Sequence, residues 1–215
     1  MVIWLYDQYM GRPTNTATRR RQIVQGLARA MAAHGYAGAT VNAIAKAAGL
    51  APGLIHYHFP DKHAILLELC TEVSDLIARR YRTRTAAESS AQEKLAAFID
   101  AHVALGADAD AEAVAAWSAI AAEAPRDQSV GKVYRRHLTG ELAELGRLFT
   151  AALQSQGRRV ADVEEKSALV LAAIEGAFRI AAAAPGATPR GFAARGIRRL
   201  AEALIAGEPL LPAGS

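Results

Sequence analysis

"TVNAIAKAAGLAPGLIHYHFPDKHAIL", residues 40–66, decides how the rest of the chain is read. Thr40 stands as an N-cap before Val41, Ile44, Ala45 and Ala48, which share one helical face, and Gly49 stops that helix. After "GLA", Pro52 sits where a first helical turn tolerates proline; the spacing predicts about two turns of helix to Phe59, closed by Pro60. Asp61 is placed to cap a further helix carrying Ile65, Leu66, Leu69, Val73, Leu76 and Ile77. Upstream, Ile23, Val24, Leu27, Ala30 and Met31 recur at three- and four-residue steps, so residues 18–34 read as a helix that Gly35 ends.

Short helices joined by so tight a turn describe a helix-turn-helix, which rests one helix across a phosphate backbone and inserts the next into the major groove. The inserted helix is residues 52–59. At about 1.5 Å per residue it is roughly 12 Å long, comparable with the roughly 12 Å width of the groove. Ile55 and Phe59, four apart, are expected to point inward. Gly53, His56 and Tyr57 then take the opposite side, where glycine permits close backbone approach and the imidazole and phenol offer hydrogen bonds and flat surface to base edges.

Charge is divided unevenly. Residues 12–62 carry Arg12, Arg19, Arg20, Arg21, Arg29, Lys46 and Lys62 against Asp61 alone, a net +6, while residues 63–215 sum to −1. A polyanion is the partner such asymmetry suggests, with a solvated basic face as the alternative. The stretch "GRPTNTATRRRQ", residues 11–22, reads as a disordered basic arm before the first helix, able to enter a minor groove; Arg19 to Arg21 straddle the helix start, so one of them is left to face water.

Other classes fare worse. No run of eighteen apolar residues is present, so no membrane span is expected. The opening "MVIWLYDQYM" lacks the basic leader and cleavage pattern of a secretory signal and reads as a loose extension. Cys70 is the single cysteine, which excludes an internal disulfide and fits a reducing cytosol. His56 and His58 diverge by about 200° on a helix, whereas helical zinc sites use histidines four apart. No serine or cysteine nucleophile sits in a strained glycine turn and no phosphate-cradling loop occurs, so no catalytic residue, metal or cofactor is expected.

Residues 88–207 read as five more helices, near 90–105, 109–123, 128–156, 162–184 and 189–206, and no alternating β pattern occurs. The fold expected is all-α with about nine helices: an extension over 1–15, a helix-turn-helix domain over 16–62 and a helical domain over 63–215. No low-complexity linker separates the two, so the fourth helix is expected to join them rigidly. His102 lies on an otherwise apolar face, and Trp117, Tyr134 and His137 lie on faces able to line one cavity. They are ligand candidates, with core packing as the alternative.

Residues 40–66 resemble the N-terminal DNA-binding module of TetR-family transcriptional regulators in the Ala-Gly turn, the glycine before a His-rich aromatic segment, the Tyr and Phe, and the lysine three residues after that Phe. The resemblance implies a cytoplasmic homodimer, usually a repressor, that binds a near-palindromic double-stranded DNA operator and is released by a small-molecule effector. It makes Thr40 a phosphate contact as well as a cap. It sets Ala51, Pro52, Gly53 and His56 nearest the base edges, Tyr57 and His58 at phosphate or sugar, and Lys62 at phosphate. For Tyr57 half-buried packing, and for Lys62 plain solvation, stay open. Leu54 departs from the family, which often has a hydroxyl residue there.

The closing helices look like the family's dimer interface. Leu169, Ala172, Ala173, Gly176, Ile180 and Ala183 permit close approach, and Phe192, Ile197, Leu200 and Leu204 offer larger knobs, with an intrachain core as the alternative. Glu175 and Arg179 are spaced as an i, i+4 pair. Residues 117–137 also resemble the C-terminal type found in betaine-responsive regulators, a likeness that names no ligand. Two other classes stay open: an architectural DNA binder without sequence preference, and an enzyme in which His102, His137 and Glu123 would have to converge.

Overall fold

The computed structural model describes residues 15–104 and 111–212. In them lie α1 (Asn15–Gly38), α2 (Val41–Ala48), α3 (Pro52–His58), α4 (Lys62–Arg84), α5 (Ala91–Val103), α6 (Ala111–Glu123), α7 (Gln128–Ser155), α8 (Val163–Ala183) and α9 (Phe192–Ala206). The sole β feature among the described residues is an isolated antiparallel bridge between Arg158 and Leu210. None of these helices is long and apolar enough to cross a membrane.

By compactness the chain divides into two units between Leu69 and Cys70, inside α4. The first turns of α4 belong to the N-terminal unit because their side chains are tied to it: Lys62 Nζ donates to the Tyr36 carbonyl at 2.6 Å and Glu68 accepts from Arg20. Ile65 and Leu66 on the same turns are fully buried.

In the N-terminal unit α1 packs on α2 and α3, and α2 on α3. The expected stripe Ile23, Val24, Leu27, Ala30 and Met31 is buried together with Ile44, Ala45, Ile55 and Phe59. Burying a side chain the size of Ile55 or Phe59 contributes about 1.5–3 kcal/mol. Gly35 does interrupt α1, at φ 68° and ψ 172°, a conformation that suits glycine. At the other end α1 starts three residues earlier than expected, so the arm expectation fails from Asn15 onward and Arg19 to Arg21 are helical. Nothing between Pro13 and Ile23 breaks a helix, so the first helix extends backward past the basic run. Residues 1–14, most of the expected extension, lie outside the described residues.

The C-terminal unit is a helical bundle in which α7 packs on α5, α6 and α8, and α9 on α5, α7 and α8. Ser90 and Glu93 form a reciprocal capping box at α5, and Asp127 caps α7 through Ser129 N and Val130 N. Gly191 at φ 69° delays α9 to Phe192, three residues after its expected start.

Candidate functional site

Each unit holds one candidate site. In the first, Thr40 Oγ1 accepts from Ala43 N at 3.2 Å, which makes the capping role explicit. Gly49 closes α2 in the left-handed region (φ 67°), with Leu50 N donating to Ala45 O at 3.0 Å. Ala51 precedes α3 without a side-chain cap and Pro52 occupies its first turn. Ile55 and Phe59 turn inward, each 2 % exposed, and anchor α3 by that side.

The rest of α3 is exposed apart from its last residue, His58. Ala51, Pro52, Gly53, Leu54 and His56 are exposed, and Tyr57 is 80 % exposed, which removes the packing alternative for its ring. His58 is half-buried with its ring edge-on to Tyr57, 5.0 Å between centroids. Gly53 has no positive φ, and a Cβ built on it would meet nothing within 4 Å. Nothing inside the chain requires glycine there.

The cations near α3 behave differently from one another. Arg19 Nη1 donates to Gln22 Oε1 at 2.8 Å and is half-buried, while Arg21 is exposed. Lys62 stacks over the Tyr36 ring at 4.1 Å while donating to the Tyr36 carbonyl, so it closes the end of α1 and is not simply solvated. Arg20, an expected DNA contact, donates to Glu68 and to the His58 carbonyl and lies over Phe59. Its partner Glu68 is 48 residues distant, beyond any local pattern.

The second site lies inside the C-terminal unit, where the four ligand candidates do come together. The Trp117 ring stands 4.3 Å from His137 and 5.2 Å from Tyr134. Glu175 joins them, accepting from Trp117 Nε1 at 2.9 Å and from Tyr134 OH at 2.7 Å; its oxygens serve these aromatics instead of forming the pair expected with Arg179. Burial, then the hydrogen bond to Glu175, holds the Tyr134 phenol well above its ordinary value.

Glu141, which the sequence did not single out, is the second carboxylate of the cluster. It accepts from His102 Nε2 at 3.1 Å and stands 3.6 Å from His137 Nε2. Burial pushes its carboxyl up, but the hydrogen bond and charge of His102, with His137 behind, outweigh this and leave it below the ordinary carboxylate value. His102 Nδ1 lies 2.8 Å from the Phe98 carbonyl, which only accepts, so that nitrogen is the donor of the pair. His137, whose Nδ1 is 3.1 Å from Ser74 Oγ, is held below its ordinary value chiefly by burial. The spacing of His137 and Glu141, four residues on α7, is the one local signal that pointed to this carboxylate.

These groups border a cavity of about 30 Å³, room for little more than one water. A second, of about 610 Å³, shares Arg80, His102, Val114 and Phe178 with it and is otherwise lined mostly by alanine, glycine and proline from α8, α9 and the 184–191 connection. That size suits a small organic molecule. His102 and His137 line the smaller cavity, whereas Glu123, at the end of α6, lines neither. Among the described residues no three His, Cys, Asp or Glu are grouped to hold a metal ion.

The expected dimer residues of α8 and α9 differ in exposure. Leu169 is 45 % exposed, Ala172, Ile180 and Ala183 are exposed, and Ala173, Gly176, Leu200 and Leu204 are half-buried. Ile197 is the exception: it packs into the chain's own core and offers no knob to a second copy. Phe192 faces the larger cavity.

Residues 23–69 match the family profile described as "Bacterial regulatory proteins, tetR family". The chain is 33% identical over 135 residues to the HTH-type transcriptional regulator BetI of Agrobacterium fabrum, an alignment covering 60% of this chain and 65% of that protein. It is 43% identical over 61 residues to the HTH-type transcriptional repressor AcnR of Corynebacterium glutamicum, covering 28% of this chain and 31% of that one. The chain thus spans just under two thirds and about a third of these relatives' lengths. Among solved structures, the transcriptional regulator FadR from Bacillus subtilis, in complex with stearoyl-CoA, superposes with a TM-score of 0.68 at 23% identity, covering 87% of this chain and 98% of that one. That likeness is one of fold. Residues 23–69 thus carry the module of the tetR family of bacterial regulatory proteins, and these relatives of the chain are transcriptional regulators.

Proposed function

We propose that the chain is a ligand-responsive, DNA-binding transcriptional repressor that acts as a homodimer. The observation that carries this reading is the outer face of α3. A seven-residue helix held by Ile55 and Phe59 presents Gly53, His56 and an 80 % exposed tyrosine, in the part of the chain that holds its positive charge. An aromatic so exposed contributes little to folding, and a glycine that neither backbone nor packing requires leaves its space open to the outside.

Ala51, Pro52, Gly53 and His56 approach base edges in this reading. Thr40, Tyr57, His58, Arg19 and Lys62 set register on the phosphates and sugars. Twofold assembly through the apolar stripes of α8 and α9, with Leu169, Ala172, Gly176, Ile180, Leu200 and Leu204 at its centre, spaces two copies of α3 for half-sites about one helical turn, or a multiple, apart.

The effector occupies the interior of the C-terminal unit, its polar part against His102, Trp117, Tyr134 and His137 together with Glu141 and Glu175. A buried imidazole with half-buried carboxylates around it weakens a core relative to apolar residues of the same volume, so their presence beside a cavity favours a ligand role. The stearoyl-CoA held by the Bacillus subtilis regulator supports a small molecule as the effector class here. An effector that moves the population from 99:1 to 1:99 must prefer the released state by about 5.5 kcal/mol.

Footprinting on the DNA flanking the chain's own gene tests the reading. The expected result is a protected, nearly palindromic segment that is lost when a cavity ligand from a metabolite panel is added. Uniform protection of all DNA would instead make the chain an architectural binder.

A further inference from the structure

The guanidinium of Arg20 meets three residues of the N-terminal unit at once. Nε and Nη2 donate to the two oxygens of Glu68 on α4, at 3.2 and 2.8 Å, a bidentate pair. Nη1 donates to the carbonyl oxygen of His58, the last residue of α3, at 2.6 Å. Its central carbon lies 4.0 Å from the centroid of the Phe59 ring.

A helix leaves its last carbonyls without intrahelical donors, and a cation at that end is favoured by the aligned peptide dipoles. α3 is seven residues long, too short to persist without tertiary support, and it buries one side chain of its own, Ile55, with Phe59 just beyond it. Arg20 supplies what α3 lacks: a donor for the terminal carbonyl, a cover for Phe59, and a planar connection to α4.

We propose that Arg20 and Glu68 form a clamp fixing α3 against the first turns of α4, so that Arg20 governs DNA affinity as a positioning residue rather than as a phosphate ligand. The proposal rests on the regulator reading above. A guanidinium already neutralised by a carboxylate attracts phosphate weakly and releases few counterions. A shift of α4 relative to α1 pulls on the same planar group that holds the His58 carbonyl, so it reaches the recognition helix directly. Lysine at position 20 keeps the charge and loses the fork.

The two roles predict opposite signs for Glu68→Gln, an isosteric change at a half-buried site. Glu68→Gln and Arg20→Lys are compared with the unsubstituted protein in two measurements: amide hydrogen exchange without DNA, and affinity for the DNA flanking its own gene at 50–200 mM salt. The clamp predicts faster exchange over residues 55–59 in both variants. It also predicts DNA affinity lower by roughly three- to tenfold, with the salt dependence of Glu68→Gln unchanged.

A phosphate role for Arg20 predicts that Glu68→Gln frees a cation, tightens binding and steepens the log–log salt slope by about one for each phosphate newly neutralised. That result, or unchanged exchange over 55–59 in Glu68→Gln, overturns the clamp. If Arg20→Lys loosens exchange throughout the unit, Glu68→Gln alone decides. Failure of the unsubstituted protein to prefer any DNA would sink the regulator reading instead, and the exchange comparison would still decide the clamp.

Discussion

The two units of the chain put their polar chemistry in opposite places. Residues 15–69 bury aliphatic and aromatic side chains and expose histidine, tyrosine and arginine, whereas the buried polar or charged residues among those described, Arg80, His102, Lys166, Ser167 and Glu208, all belong to residues 70–212. A surface made for a large, charged, flat partner needs a dry, firm support beneath it. A site for a small molecule needs polar groups inside, which weaken the fold that holds them unless each is paired. The contrast teaches where substitutions should injure stability and where they should injure binding alone.

The largest effect is expected where the dry core is cut. Phe59→Ala removes a fully buried ring beneath α3 and should cost about 3–5 kcal/mol in denaturant unfolding, enough to unfold the N-terminal unit. Next comes the wet core: Glu141→Ala strips His102 of its carboxylate and should cost about 3 kcal/mol by the same measurement. A double replacement, Glu141→Leu with His102→Leu, should recover much of that loss, because no charge is left unpaired. If the single and double variants are equally unstable, the contrast between the units is wrong.

Gly26→Ala tests how closely α1 and α2 meet. A Cβ there would stand 2.8 Å from the Ile44 carbonyl oxygen and 2.9 Å from Ala48 Cβ. Despite alanine's better helix propensity, the variant should be less stable by about 1–2 kcal/mol, read from the midpoint of unfolding.

Acid should separate the units by a smaller margin. His137 has its folded pKa depressed by burial below the ordinary 6.5, so the unfolded chain takes up the proton first, and stability falls as pH drops below about 6.5. Glu141, also depressed, adds a loss at lower pH, below the ordinary 4.5. Melting temperatures from pH 7.5 to 5 should therefore fall in a way that His137→Gln flattens. The smallest effect on stability belongs to the outer face of α3: Tyr57→Ala should leave unfolding within about 0.5 kcal/mol of the original.

How much of this was legible in the sequence follows the range of each signal. Thr40, Gly49, Pro52 and Asp61 act within one helical turn, and the helix boundaries from α2 through α4 match them. Ile55 and Phe59 inward, with Gly53, His56 and Tyr57 outward, follows from 3.6-residue periodicity alone. What escaped is long-range: Arg20 finds Glu68, Trp117 and Tyr134 find Glu175 across 58 and 41 residues, and Lys166 finds Glu208 across 42. No spacing rule connects such pairs. Ile197 was misread because alanine-rich α9 offers apolar residues on several faces, and only packing selects the one turned inward. Gly26 is silent in the sequence because a helical glycine carries no local mark of a neighbouring helix.

The outward face of α3 as the DNA-reading surface is tested most directly by the affinity of full-length Tyr57→Ala and His56→Ala for the DNA flanking the chain's own gene. The unsubstituted protein should bind that DNA in preference to unrelated duplex, losing about 10³ to 10⁵ in affinity between 50 and 200 mM salt if six to ten phosphates are neutralised. Both variants should lose the preference while unfolding like the original. Retention of full affinity and preference by both would contradict the account.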